Sequence, residues 1–183
     1  MQSTGAPCRY IFVYGSLMSA VATPLGARER SRLSGESRSL GAATTKGRLY
    51  DLGQYPGMTP ALSPADFVEG ELLELLNPTA TLIWLDQYEG VRHGFSNSGD
   101  YRREICSIEL QKSKFASPQA PSSDGTQPIG KTEFEGTPAG SVAPTPSRQP
   151  STILNRPTQA WVYIYQGLLN PNRHIHSGSW LKR

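Results

Sequence analysis

A long segment with few apolar residues interrupts this chain and limits which residues can build a folded core. Residues 116–151 hold seven of the 15 prolines, and Ser, Thr, Gly and Ala make up most of the remainder. Such a composition buries too little apolar surface to offset the entropy lost when a backbone is ordered. We therefore expect a single domain over residues 8–183 that carries a flexible insertion at about 112–157, since long loop insertions cost little free energy.

The bulk composition narrows the cellular setting and the kinds of partner. The formal net charge of +3 is spread thinly along the chain, whereas nucleic-acid-binding proteins usually carry a dense basic stripe. No apolar run approaches the roughly 18 residues of a membrane span, and the first residues lack the pattern of a secretory signal. We interpret the two cysteines, Cys8 and Cys106, as buried reduced thiols, because a disulfide framework or a zinc site needs more. These features predict a cytoplasmic protein that binds neither nucleic acid nor membranes, and they carry no signal of its oligomeric state.

The clearest local signal is a capped helix near the middle of the chain. Asn77 and Pro78 are typical of a helix N-cap and of the first helical position. Residues 79–89 continue the helix, and Gly90 is typical of the left-handed residue that ends one. The sequence therefore predicts a helix that ends at Glu89.

This helix directs a carboxyl group toward the core. At about 100° per residue, one broad face carries Leu82, Trp84, Leu85 and Tyr88. Glu89 falls on that face in the last turn, where the helix end and burial both disfavour its ionised form and raise its pKa. A raised pKa suits a general base that takes a proton and later returns it. The alternative is that Glu89 turns outward or pairs with Arg92, Arg102 or Arg103.

The remaining patterned segments read mainly as strands. Alternation and β-branched or aromatic content predict strands at 10–14, 42–52, 68–76, 101–110 and 158–166. Gly70 marks a bulge or a close backbone approach, residues 53–57 a loop, and residues 17–25 a short helix or an irregular loop. Together these elements predict an α+β fold: a small, curled antiparallel or mixed β-barrel with one well-defined helix packed on it.

A glycine turn follows the first strand. Tyr14, Gly15, Ser16 and Leu17 stand where the chain leaves the strand, and a sharp turn there can point successive backbone N–H groups at one anion. An ordinary Gly-Ser turn is the alternative. The sequence thus offers a candidate anion-binding turn in addition to the candidate base.

Seven fragments occur in the order seen in one family. They are FVYGSL at 12–17, GRLYDLGQYPG at 47–57, VEGELLEL at 68–75, LDQYEG at 85–90, YRR at 101–103, AWVYIY at 160–165 and SGSW at 177–180. In these fragments the chain resembles γ-glutamyl cyclotransferase-like (AIG2-like) proteins. The resemblance spans nearly all of the chain outside the predicted insertion.

The resemblance implies an enzyme and a set of site residues. A γ-glutamyl amine or peptide would be converted to 5-oxoproline and a free amine, with Glu89 as general acid and base and with no cofactor or metal. The turn formed by Tyr14, Gly15, Ser16 and Leu17 would hold the α-carboxylate end of this small-molecule substrate. We also expect Tyr101 and one of Tyr163 or Tyr165, here assigned as Tyr165, to line the pocket, although aromatic residues in strands often serve only to pack.

Two other readings compete with this one. Ser16 superficially suits a serine hydrolase with a histidine elsewhere in the chain, but it lacks the G-x-S-x-G surroundings of a nucleophile elbow. A non-catalytic small-molecule binding or interaction module on the same fold is the second alternative. His174 and His176 have no carboxylate or thiol near them in sequence and are more typical of surface residues than of metal ligands.

Overall fold

Five strands close into a barrel in the computed structural model, which describes residues 8–91, 99–111 and 158–183. The elements in chain order are β1 (Tyr10–Val13), α1 (Ala27–Glu36), β2 (Ser37–Lys46), β3 (Arg48–Asp51), β4 (Pro56–Thr59), β5 (Phe67–Leu75), α2 (Pro78–Tyr88), β6 (Tyr101–Leu110), β7 (Thr158–Tyr165) and two single 3-10 turns at Pro171–Arg173 and Trp180–Lys182. The predicted insertion at about 112–157 lies outside the described residues.

The barrel is mixed and closes between its first and last strands. Its order is β1-β5-β2-β6-β7, with antiparallel neighbours throughout except at the β1–β7 seam, where the pairing of Ile11 with Trp161 is parallel. The core consists of side chains with almost no exposed surface, among them Ile11, Phe12, Leu72, Ile108, Val162 and Ile164. The predicted α+β barrel is confirmed, with two helices in place of one.

The predicted strand at 42–52 was wrong as a single element. It is divided at Gly47 into the end of β2 and the separate strand β3, which pairs with β4 in a two-stranded sheet. A Cβ at Gly47 would lie 2.5 Å from Met58 Cε and 3.0 Å from the Thr59 carbonyl oxygen, so a larger residue would have to displace the Met58 side chain where the two sheets part. Residues 53–57, predicted as a loop, contain the hairpin turn closed by the Leu52 N–H on the Tyr55 carbonyl (3.1 Å) and the start of β4.

Helix α1 was missed by the sequence analysis, and residues 17–25 form turns, as in the second of the two readings given for them. The sequence of this helix carries no apolar stripe that could have predicted it, and Leu33 is its one buried residue. Its last residue, Glu36, fixes it to α2 by accepting hydrogen bonds from Thr81 Oγ1 (2.7 Å) and Trp84 Nε1 (2.9 Å). Polar contacts, which no periodicity reveals, therefore hold the two helices together.

Helix α2 has the caps that its sequence predicts. The Asn77 side chain accepts a hydrogen bond from the Ala80 N–H at 3.2 Å, and Gly90 has a positive φ of 67°. The helix ends at Tyr88, one residue earlier than expected, and Glu89 is the C-cap, with its N–H on the Leu85 carbonyl at 2.9 Å. Glu89 is consequently held at a fixed end of the helix.

The free cysteines differ from expectation in their burial. Cys8 and Cys106 are both unpaired, as expected, but each is only partly buried. The Cys8 thiol lies against the Gln159 carbonyl at 3.3 Å.

Gly70 marks a close backbone approach, whereas the barrel's register shift lies in β2 between Ser39 and Gly41. A Cβ at Gly70 would lie 2.3 Å from the Val13 carbonyl oxygen. We expect Gly70→Ala to lower the free energy of unfolding by about 3 kcal/mol, because β1 must move away from β5.

Urea unfolding of Gly70→Ala and of a matched variant, Gly35→Ala, would check this prediction. Gly35 lies in α1, where a Cβ meets nothing within 4 Å, so alanine there should be neutral or stabilising by up to about 1 kcal/mol. Equal stabilities for the two variants would contradict the prediction.

Candidate active site

A cavity of about 280 Å³ opens at one end of the barrel. Its walls come from the end of β1 and the turn after it, the C-terminal end of α2, the start of β6, one residue of β7 and the β3–β4 turn. The sequence-predicted residues that line it are Tyr14, Gly15, Ser16, Leu17, Glu89 and Tyr101. The fold therefore brings the candidate base and the glycine turn to one space.

Glu89 presents a carboxyl group without a partner. Within the described residues it receives no hydrogen bond and forms no ion pair. Although Glu89 is only partly buried as a residue, burial of its carboxyl group raises the pKa of Glu89 to about 8. The carboxyl group is thus poised to exchange a proton near neutral pH.

The arginines considered as partners of Glu89 pair elsewhere. Arg102 Nε contacts Glu104 at 2.6 Å, and Arg103 Nη1 contacts Asp86 at 2.9 Å. Arg92 lies outside the described residues. The alternative of pairing with Arg102 or Arg103 is therefore wrong.

The glycine turn has backbone donors to offer. Its Gly15 carbonyl accepts from the Met18 N–H at 3.0 Å, while the N–H groups of Gly15, Ser16 and Leu17 donate to no acceptor in the described part of the chain. A Cβ at Gly15 would lie 2.7 Å from Pro56 Cγ, so glycine is required for the turn to approach the β3–β4 hairpin. Successive N–H groups in a turn can form a concavity that binds a carboxylate, and these three residues line the cavity.

Ser16 lacks the surroundings of a nucleophile. Its Oγ lies 3.3 Å from the Tyr88 hydroxyl, and its carbonyl accepts a hydrogen bond from Arg30 Nη1. Among the described residues that line the cavity there is no histidine. His174 contacts Arg48 at 3.3 Å elsewhere, so no described histidine can act as a base for Ser16.

Tyrosines form much of the cavity wall. Tyr14, Tyr101 and Tyr163 line it, whereas Tyr165 does not and instead packs edge-on against Tyr101 with ring centroids 5.3 Å apart. Burial, with the negative charge of Glu89 among the further causes, raises the pKa of Tyr14, Tyr101 and Tyr163. Their hydroxyl groups therefore stay protonated and lie within electrostatic range of Glu89.

Asp86 belongs to the site and was missed by the sequence analysis. It is 6% exposed, and its Oδ1 accepts from the Tyr163 hydroxyl at 2.8 Å and from Arg103 Nη1 at 2.9 Å. Its sequence position could have identified it, because a residue three before Glu89 and four after Leu82 lies on the same helix face. Asp100 and Tyr55 also line the cavity, on loops that carry no periodic pattern.

The histidines near the C-terminus pack against the β3 region. His174 is half-buried rather than at the surface, since its ring lies 5.2 Å from that of Tyr50, whereas His176 is exposed. Burial is the main cause that lowers the pKa of His174. Over residues 8–91, 99–111 and 158–183, no three His, Cys, Asp or Glu side chains converge as a metal site would require. None of the described helices is long and apolar enough to cross a bilayer.

Comparison with known proteins shows the family to which this chain belongs. An unpaired carboxyl group in a barrel cavity is typical of small-molecule sites with acid–base chemistry. The family model for gamma-glutamyl cyclotransferase, AIG2-like, matches residues 11–120. The chain belongs to this family, as the seven fragments predicted.

Two solved structures with TM-scores of 0.50 share the fold at low sequence identity. An AIG2-like protein from Mus musculus is 16% identical with a TM-score of 0.50, over 91% of this chain and 82% of that one. YkqA from Bacillus subtilis is 17% identical with a TM-score of 0.50, over 94% of this chain and 39% of YkqA. An uncharacterized protein from Pyrococcus horikoshii is 16% identical with a TM-score of 0.49, over 93% of this chain and 88% of that one. Among curated proteins, no significant match was found.

Proposed function

We propose that this protein is a γ-glutamyl cyclotransferase-type enzyme that converts a γ-glutamyl amine or peptide into 5-oxoproline and a free amine. Glu89 acts as the general acid and base. The observation that carries the proposal is the unpaired Glu89 carboxyl group, whose pKa burial raises to about 8, in the wall of a cavity shared with the glycine turn. Membership of the AIG2-like family supports the same reaction class.

The reaction needs one proton acceptor that also returns the proton. The Glu89 carboxylate takes a proton from the α-ammonium group of the substrate, and the resulting amine attacks the γ-carbonyl carbon. A new C–N bond closes the five-membered ring and leaves two protons on the attacking nitrogen. Glu89 returns its proton to the leaving nitrogen, and the original γ-amide C–N bond breaks. The attacking nitrogen then loses one of its two protons, which the released amine takes up as an ammonium group, so 5-oxoproline keeps a single N–H and Glu89 ends as the carboxylate. An α-amino group has a pKa of about 8, so proton transfer to Glu89 is close to balanced in free energy.

The other site residues hold the substrate in the folded form that cyclises. The backbone N–H groups of Gly15, Ser16 and Leu17 bind the α-carboxylate, beside Tyr14 at the end of β1. Tyr101 forms a wall of the pocket and Tyr165 supports it from behind. Bringing the amine and the carbonyl within attack distance supplies much of the remaining acceleration.

The size of the cavity supports a small substrate group. At about 280 Å³ it lies at the lower end of ligand pockets, which span about 300–1,000 Å³. We propose that the γ-glutamyl group occupies this space and the leaving amine its mouth. We also propose a cytoplasmic setting, where the unpaired Cys8 and Cys106 stay reduced.

A substrate panel tests the proposal. Purified protein should release 5-oxoproline from at least one member of a set that contains γ-glutamyl amino acids, glutathione, a γ-glutamyl-lysine isopeptide and γ-glutamyl alkylamines. The release is measured by mass spectrometry, with the matching α-glutamyl isomers as controls that should yield none. If the whole γ-glutamyl set is bound but not turned over, the protein is a non-catalytic binding module and the proposal fails.

A further inference from the structure

Tyrosine hydroxyl groups share the cavity with Glu89, yet two of them donate to backbone carbonyl groups instead. The Tyr14 hydroxyl donates to the Tyr163 carbonyl oxygen at 2.7 Å, and the Tyr101 hydroxyl donates to the Pro56 carbonyl oxygen at 2.8 Å. A carbonyl oxygen can only accept, so each tyrosine is the donor. Because a phenol has a single proton, the oxygens of Tyr14 and Tyr101 have only lone pairs left.

Tyr163, which also lines the cavity, donates to a side chain. The Tyr163 hydroxyl donates to Asp86 Oδ1 at 2.8 Å, and Arg103 Nη1 donates to the same oxygen at 2.9 Å. The Arg103 guanidinium also lies over the Trp161 ring, 4.8 Å from its centroid, so the group that pairs with Asp86 is itself held in place. Of the three acceptors, Asp86 alone can be removed by a substitution.

This pattern accounts for the unpaired state of Glu89. A phenol beside a carboxylate would normally donate a hydrogen bond to it, which stabilises the ionised form. Here burial raises the pKa of Glu89 to about 8 with no hydrogen bond to oppose it. The hydroxyl oxygens of Tyr14, Tyr101 and Tyr163 therefore present acceptor lone pairs, which match the N–H bonds of an amine.

We infer that Asp86 is a positioning residue for Glu89. It accepts the hydrogen bond of the Tyr163 hydroxyl group, so Tyr163 cannot donate to Glu89, and the Tyr163 oxygen is left to accept a hydrogen bond from the substrate amine. The inference rests on the proposed role of Glu89 as the base. It assigns to Asp86 a task in the reaction although Asp86 does not line the cavity.

Other titratable groups face the same space and are unchanged by substitution at Asp86. Tyr88, on α2, has its hydroxyl 3.3 Å from Ser16 Oγ, and burial first of all raises its pKa. Asp100, before β6, is exposed at the cavity mouth. Removal of the Asp86 carboxylate also takes away a negative charge and leaves Arg103 without this partner, and both changes lower the pKa of Glu89. The part that comes through Tyr163 is therefore the difference between Asp86→Ala and the same variant without the Tyr163 hydroxyl.

The test is the titration of Glu89 in the free protein, followed by carboxyl ¹³C NMR on glutamate-labelled samples. The Glu89 resonance is identified by its absence from Glu89→Gln. In Asp86→Ala the Tyr163 hydroxyl becomes free to donate to Glu89, so the pKa of Glu89 should fall by about one unit. The variant with both Asp86→Ala and Tyr163→Phe should have a Glu89 pKa about one unit higher than that of Asp86→Ala, because the donor is gone while the loss of the Asp86 charge is common to both.

Tyr163→Phe alone provides a second test that keeps Asp86 paired with Arg103. It should leave the pKa of Glu89 unchanged while raising the KM for a γ-glutamyl amine several-fold, since an acceptor for the amine is lost. A raised pKa of Glu89 in Tyr163→Phe, or equal values in Asp86→Ala and the double variant, would overturn the inference. Since the titration uses no substrate, absence of turnover rejects the proposed function separately.

Discussion

Replacing Glu89 by glutamine should lower the rate of 5-oxoproline release by about 100- to 10,000-fold, the range contributed by a general acid–base group. Glutamine has nearly the same shape but cannot take the proton of the α-ammonium group. Binding of a γ-glutamyl ligand, measured by calorimetry, should change only several-fold. A Glu89→Gln protein that keeps a tenth or more of the wild-type rate would remove Glu89 from the mechanism.

Two comparisons make this result specific. Asp100→Asn removes the other carboxylate that lines the cavity and should alter the rate only a few-fold, because Asp100 is exposed at the mouth. In the wild type, kcat/KM should rise with pH up to about 8, as the carboxyl group whose pKa burial raises to about 8 becomes ionised. A rate that is flat from pH 5 to 8 would contradict the role of Glu89 as a base in its free-enzyme form.

The same substitution should make the fold more stable at alkaline pH. In the unfolded chain Glu89 has a pKa of about 4.3, whereas in the folded protein burial raises it to about 8. Between these values the folded state binds more protons than the unfolded state, so stability is lost as pH rises through this window. At pH 9 Glu89→Gln should unfold with a free energy about 5 kcal/mol higher than that of the wild type, and at pH 4 the two should be nearly equal.

Urea unfolding at both pH values measures this difference, and Glu36→Gln is the matched control of opposite sign. Hydrogen bonds from Arg32, Trp84 and Thr81 outweigh burial, the largest single effect, and lower the pKa of Glu36. Its ionised form therefore contributes stability that is present above its unfolded pKa and lost as pH falls, so Glu36→Gln should destabilise at neutral pH by about 1 kcal/mol. If Glu89→Gln were no more stable than the wild type at pH 9, the Glu89 carboxyl group would be solvated and its pKa would not be raised.

Glu89 is thus expected to be required for activity while its ionised form lowers the stability of the fold. Functional carboxyl groups with raised pKa values are held in environments that disfavour their charge. Glu89 would then be an example in which activity and stability respond in opposite directions to one substitution.

The features that sequence predicted well are those encoded within one element. The Asn77 cap, the Gly90 stop and the inward position of Glu89 all follow from spacing along a single helix. Strands β5, β6 and β7 likewise came within two residues of their bounds, because alternation is a local property.

The features that sequence missed depend on contacts between distant residues. The hydrogen bond of Asp86 comes from Tyr163, 77 residues further along the chain, and the space at Gly47 is bounded by Met58 on another strand. Tyr163 and Tyr165 share a strand face, so period alone cannot distinguish them. The register that pairs Tyr165 with Tyr101 decides that Tyr163 lines the cavity and Tyr165 does not.

The β6–β7 pairing separates the cavity from the connection between these two strands. At the cavity end Tyr101 pairs with Tyr165, while the chain leaves β6 and enters β7 near the pair Ile108 and Thr158. Seven residues of extended strand, about 24 Å, separate these two ends. That the residues between β6 and β7 form a flexible insertion stays a prediction, but their points of attachment lie a full strand away from the Tyr101–Tyr165 pair, so a change in the length of the connection leaves the strand pairing at the cavity end in place.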